Sequence, residues 1–210
     1  NLPVAYDLSP SKQYYDAKGS FLKIIETRPF SKTSRDLTFE ESNDFLTEYN
    51  VLNTQGLTNA RSLHTVDFDN YDLRIAGIDL YAVNGCKAAT IGKVVEVRHY
   101  TLFDSEDYSS RYEVESTPGD GTVPLESATN LPIDESNKFY ALNASHAQMM
   151  SQDGIRHKIV NIISGSELET EKITEDITEC KLNGRAISIF SPLSIDVVDQ
   201  DGNHLGLASD

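Results

Sequence analysis

The chain has 210 residues and a mass of 23.3 kDa, with 39% hydrophobic and 9% aromatic residues, enough to bury a core. Its 33 acidic residues outnumber 18 basic ones, for a net charge of −15. That balance argues against a nucleic-acid partner, which needs a basic footprint, and opposes docking on anionic lipid. No run of about 18 apolar residues occurs, so no segment reads as a transmembrane helix.

Residues 1–75 are polar, rich in Ser, Thr, Asp and Asn, and weakly periodic; they read as a cap- or lid-like segment. The opening Asn1-Leu2-Pro3-Val4 reads as the middle of a longer protein. Ser9-Pro10-Ser11-Lys12 predicts a helix start with a serine cap, and the apolar run Phe21–Ile25 predicts a strand. Phe39, Phe45, Leu46 and Tyr49 fall near helical spacing, behind a Thr38 cap and an acidic first turn at Glu40 and Glu41.

Residues 76–165 have a different texture and read as the C-terminal half of an α/β core. Ile78–Val83 predicts a strand ended by Asn84-Gly85. Lys93–Leu102 and Ser110–Val114 alternate and predict an antiparallel hairpin. A short helix at Leu125–Ala128 and a strand at Phe139–Ser145 follow. A helix over 151–164 then carries Ile155, Ile159, Ile162 and Ile163 on one face. Strands alternating with helices predict an α/β class with a parallel, helix-covered sheet.

In residues 166–210, Glu167–Glu179 reads as an acidic linker. Ala186–Phe190 and Leu193–Val198 read as strands, and Asp201-Gly202-Asn203 as a hairpin turn, the start of an incomplete small β module. Cys86 and Cys180 read as neither a disulfide framework nor a metal site. The oxygen-rich stretches Asp67–Asp72 and Asp199–Asn203 lack the closing Glu of a calcium loop and read as solvated loops. Asn143-Ala144-Ser145 matches a glycosylation sequon by pattern and reads as chance.

The residues that carry chemistry are Asp120 and His146. Gly119 and Gly121 flank Asp120, permitting a tight turn and leaving its carboxylate uncrowded. His146 ends a strand-like run and precedes a helix, where a loop histidine can point across the top of a sheet. An acid on one loop and a histidine on a later one is the second half of the Ser, Asp/Glu, His order of α/β-hydrolases. In that role the histidine would take the serine proton, and the carboxylate would fix its tautomer and stabilise the imidazolium. His64, His99, His157 and His204 read as structural or surface residues. No Gly-x-Ser-x-Gly elbow is present. Ser164-Gly165-Ser166 follows a helix instead of opening one, and Ser9-x-x-Lys12 lacks its companion motifs.

Gly119-Asp120-Gly121-Thr122-Val123-Pro124 and Ser145-His146-Ala147-Gln148-Met149-Met150 resemble the C-terminal half of the lecithin:cholesterol acyltransferase-like lipases, an α/β-hydrolase family. Ile78–Gly85 and Leu2–Pro10 resemble the family more weakly, so the likeness spans about residues 1–165. It implies a Ser-Asp-His triad with Asp120 as acid and His146 as base, a lid near the site, and no cofactor. It also implies lipid or other ester substrates, and a nucleophile supplied by the N-terminal half of the same hydrolase, upstream of this chain. Cys86 departs from the small polar residue or glycine of the family pattern. The expected function is therefore part of a serine lipase, esterase or acyltransferase, inactive alone. The alternative is a non-catalytic surface or binding module. An extracellular location is expected, with the cytoplasm left open.

Overall fold

The computed structural model describes residues 9–48, 53–69, 71–101, 107–183, 196–198 and 204–206. They form a mixed α/β structure whose two larger sheets each combine parallel and antiparallel pairing.

Helix α1 (Lys12–Lys18) starts where the Ser11 hydroxyl accepts the Tyr14 N–H, and Gly19 ends it with a positive φ of 89°. Strands β1 (Leu22–Arg28) and β2 (Ser31–Asp36) make an antiparallel hairpin, and β1 runs parallel to β4 (Ala88–Tyr100). Helix α2 (Phe39–Glu48) carries the expected capping box. The Thr38 hydroxyl accepts the Glu41 N–H, and the Glu41 carboxylate accepts the Thr38 N–H. Phe45 and Leu46 of α2 cover Leu22, Ile24 and Leu37, closing a core over one face of β1. Helix α3 (Thr54–Ser62) follows, capped by Asn53, and continues into a wider turn over Leu63–Phe68.

β4 and β5 (Tyr108–Gly119) are antiparallel over nearly their whole length, so the expected hairpin is present and longer than the alternation suggested. The four-stranded sheet is ordered β2-β1-β4-β5, joining strands from both sides of residue 75. On β4, Val95 and Val97 bury apolar surface. Glu96, facing the other way, is buried against the Arg98 guanidinium at 2.7 Å.

In the second sheet, β3 (Ala82–Cys86) runs parallel to β6 (Lys138–Leu142), and β7 (Ile173–Thr174) adds antiparallel to β6. The strand expected at Ile78 thus begins later, at Ala82. Helix α5 (Asp153–Ser164) packs Ile155 and Ile159 on Ala141 and Ala144; Ile163, expected on the same face, is 80% exposed. The short helix α4 (Leu125–Ala128) forms as expected, and Leu125 packs with Cys86, Tyr140 and Cys180. β8 (Asp196–Val198) and β9 (His204–Gly206) pair antiparallel. Ala186–Phe190 and Asp201–Asn203, the expected strand and turn, lie outside the described residues.

Two expectations are corrected. Cys86 and Cys180 are joined in a buried disulfide, with Cα atoms 5.4 Å apart. The stretch Glu167–Glu179 is no loose linker. It supplies β7 and enters the tight turn Ile177–Cys180, started by the Asp176 carboxylate accepting the Thr178 N–H. Both errors share one cause: two cysteines 94 positions apart carry no spacing signature, and the pairing that draws the acidic stretch in is tertiary.

Closing a loop of that length removes conformational freedom from the unfolded chain worth about 4–5 kcal/mol in the chain-entropy model. Replacing both cysteines by serine should lower the calorimetric melting midpoint by roughly 10 °C. A shift under about 2 °C would show that the crosslink constrains little.

Candidate active site

The site begins at the end of β5. Gly119 lies against the side chain of Thr90 on β4 and the carbonyl of Val123, where a Cβ would collide with both. The chain turns at once: Gly121 takes φ +90°, and its N–H donates to the Thr90 hydroxyl at 2.9 Å. The turn then folds back on the Asp120 side chain. Asp120 Oδ1 accepts the N–H groups of Thr122 at 2.9 Å and Val123 at 2.7 Å. With Oδ1 held by the backbone of its own loop, Oδ2 faces outward in a fixed direction.

His146 arrives from the other side. β6 ends at Leu142, Asn143 turns with φ 58° while donating its N–H to the Cys86 carbonyl, and a tight helical turn covers His146–Ser151. The His146 N–H donates to the Asp120 carbonyl at 2.9 Å, and its Nδ1 lies 2.8 Å from Asp120 Oδ2. Two hydrogen bonds, one from backbone and one from ring, thus join the loops. Both leave the C-terminal ends of their strands, and Gly85 of the β3–β6 parallel pair sits directly under them. A Cβ at Gly85 would fall 2.7 Å from the Asp120 Cβ and 3.1 Å from the Ala144 carbonyl oxygen.

Burial divides the pair. The Asp120 side chain is 8% exposed and the His146 side chain 52% exposed. Burial pushes the Asp120 carboxyl upward, but the Val123 N–H, the His146 ring and the Thr122 N–H outweigh it and hold the group below its ordinary value. An ionised carboxylate only accepts hydrogen bonds, so His146 Nδ1 must donate. The neutral ring therefore carries its lone pair on Nε2, at the edge turned away from Asp120. That leaves Nε2 as the accepting nitrogen of the ring.

The sequence reading named Asp120 and His146, and the fold brings them together. It missed Thr90 and Gly85, whose parts depend on strand register. Thr90 is 1% exposed and holds Gly121; Gly85 makes room for Asp120. Ser145 directs its hydroxyl to Gln148, and Ser164 bonds the Val160 carbonyl and Ser166. Among the described residues no hydroxyl is hydrogen-bonded to the His146 ring. His157 bonds the Glu169 carbonyl and His99 approaches Arg111. His64 pairs with Asp69 at 2.8 Å and Asp72 with Arg74, so the Asp67–Asp72 stretch is not simply solvated. Asp199–Asn203 lies outside the described residues. Among the described residues no three His, Cys, Asp or Glu side chains are grouped to hold a metal, and no helix is long and apolar enough to cross a membrane. Compared with known proteins, the chain matches no family model and no curated sequence.

The depressed carboxyl has a sign in pH. What Asp120 contributes to stability is complete above the unfolded-chain value of about 3.9 and is lost as pH falls through the lower folded value. Carboxyl NMR of Asp120 should titrate with a midpoint below about 3.9, and Asp120→Asn should lose this acid-side dependence. A midpoint above about 4.5 would mean that burial prevails over the N–H donors.

Proposed function

We propose that this chain is the C-terminal part of a serine ester hydrolase or acyltransferase of the α/β-hydrolase class, similar to the lecithin:cholesterol acyltransferase-like lipases. The observation that carries this reading is the 2.8 Å contact between Asp120 Oδ2 and His146 Nδ1, made by two loops that follow strands in acid-then-base order. The parallel β3–β6 pair would belong to the hydrolase sheet, and the segment 1–75 would serve as cap or lid. Substrates would be lipid or other esters, with no cofactor.

The serine would come from the segment preceding Asn1. Its Oγ would give its proton to His146 Nε2 while attacking the ester carbonyl carbon. His146 would then pass that proton to the departing alkoxide oxygen, leaving an acyl-serine. Water or an alcohol would enter next, losing its proton to Nε2 as it attacks the acyl carbon; the proton would return to Oγ as the acyl group leaves. Asp120 keeps Nδ1 protonated throughout. The Cys86–Cys180 disulfide supports an oxidising, extracellular setting, because such crosslinks are rare in reducing compartments.

The test uses the chain alone and extended by its upstream coding segment. The chain alone should neither hydrolyse p-nitrophenyl esters nor bind a fluorophosphonate covalently. The extended protein should do both, with His146→Ala and Asp120→Asn each lowering kcat by roughly 10⁴-fold. Turnover that survives His146→Ala would remove the histidine from the mechanism. An extended protein with no elbow and no turnover would favour the binding-module alternative.

A further inference from the structure

The triplet Asn143-Ala144-Ser145 forms the turn between β6 and the His146 loop. It is the sole Asn-x-Ser/Thr triplet of the sequence. By pattern alone it reads as chance; its place in the fold changes that. Such a triplet becomes a carbohydrate attachment site when its asparagine stands on a surface turn of a chain that folds in a secretory compartment.

The fold supplies the first condition. Asn143 takes φ 58°, the left-handed conformation that asparagine tolerates better than most side chains. That conformation turns the chain out of β6 and leaves Asn143 exposed, while Ala144 behind it is fully buried. A sugar on the Asn143 amide therefore displaces no buried contact. The second condition is supported by the Cys86–Cys180 disulfide, a crosslink of oxidising compartments.

The same geometry sets an order of events. The Asn143 N–H is tied to the Cys86 carbonyl at 2.9 Å, and Ala144 is packed under Ile155. The folded triplet is held too tightly to extend into a transferase. Before β6 pairs with β3, it is free to do so.

We propose that Asn143 is an N-linked glycosylation site, modified in a secretory compartment before β6 joins its sheet. Asn143 Nδ2 attacks C1 of an oligosaccharide carried on a lipid pyrophosphate. The Nδ2–C1 bond forms, the bond from C1 to the pyrophosphate oxygen breaks, Nδ2 gives up one proton, and the lipid pyrophosphate leaves. The Ser145 hydroxyl completes the recognition triplet. The inference rests on the oxidising setting proposed above and is independent of the chemistry at Asp120 and His146.

The test is translation of the chain, behind a cleavable secretion signal, in the presence of eukaryotic microsomes. The product should carry one glycan, seen as a single upward gel shift. Peptide N-glycosidase should remove the shift and leave an aspartate at that position in the tryptic peptide. Asn143→Gln and Ser145→Ala should each abolish the shift, and Ser145→Thr should retain it. Transfer precedes folding, so the readout holds for a variant that fails to fold. The purified, folded and disulfide-bonded chain should stay unmodified in detergent-solubilised microsomes, and become a substrate once reduced and unfolded. An unshifted wild-type product, a shift that survives Asn143→Gln, or modification of the folded chain would each overturn the proposal. The readout is glycan transfer and not ester turnover, so such a failure would leave the proposed hydrolase reading untouched.

Discussion

A carboxylate taken out of water must be met by donors, or it becomes protonated or moves; that constraint on Asp120 shapes the region around it. Three donors meet it: the Thr122 and Val123 N–H groups on Oδ1, and His146 Nδ1 on Oδ2. The first two come from the carboxylate's own loop and require the chain to double back within three residues. The left-handed Gly121 and the Thr90 hydroxyl on its N–H make that return possible. The third comes from another loop and is backed by a separate bond from the His146 N–H to the Asp120 carbonyl. The ring is therefore positioned twice by one residue.

The rest of the fold holds these two loops at a fixed separation. The β4–β5 ladder brings Gly119 beside Ala88, setting Thr90 under the turn. The β3–β6 ladder brings Cys86 beside Leu142, just before the His146 loop, and the Asn143 N–H closes onto the Cys86 carbonyl. The disulfide then ties this strand end to Cys180, with Leu125 and Tyr140 packed around the sulfurs. The acid-loop helix α4 is also tethered outward: Tyr14 of α1 donates its hydroxyl to the Glu126 carboxylate at 2.9 Å. Burial and the neighbouring carboxylate push the Tyr14 phenol upward, so it stays a donor.

What could be read from the sequence was local. The Ser11 cap, the Thr38–Glu41 box and the alternation of β4 and β5 announce themselves within a few residues, because each is built from neighbours in the chain. Asp120 and His146 were legible because glycines flank the first and a strand precedes the second. The pairing of β1 with β4, the Cys86–Cys180 crosslink and the support from Thr90 were not. Each depends on which segments meet in space, and nothing in the spacing of those residues encodes it. The same applies to Gly85, an ordinary strand terminator by sequence and a point of close approach in the fold.

Asp120 fixes His146 with Nδ1 as donor and Nε2 as acceptor, and the tautomer of the ring reports that arrangement. Nitrogen NMR of ring-labelled His146 at a pH where the imidazole is neutral should find the proton on Nδ1 and a bare, pyridine-like Nε2. A neutral ring protonated on Nε2 would set a lone pair against the Asp120 carboxylate, and the hydrogen bond from His146 Nδ1 to Asp120 Oδ2 could not exist.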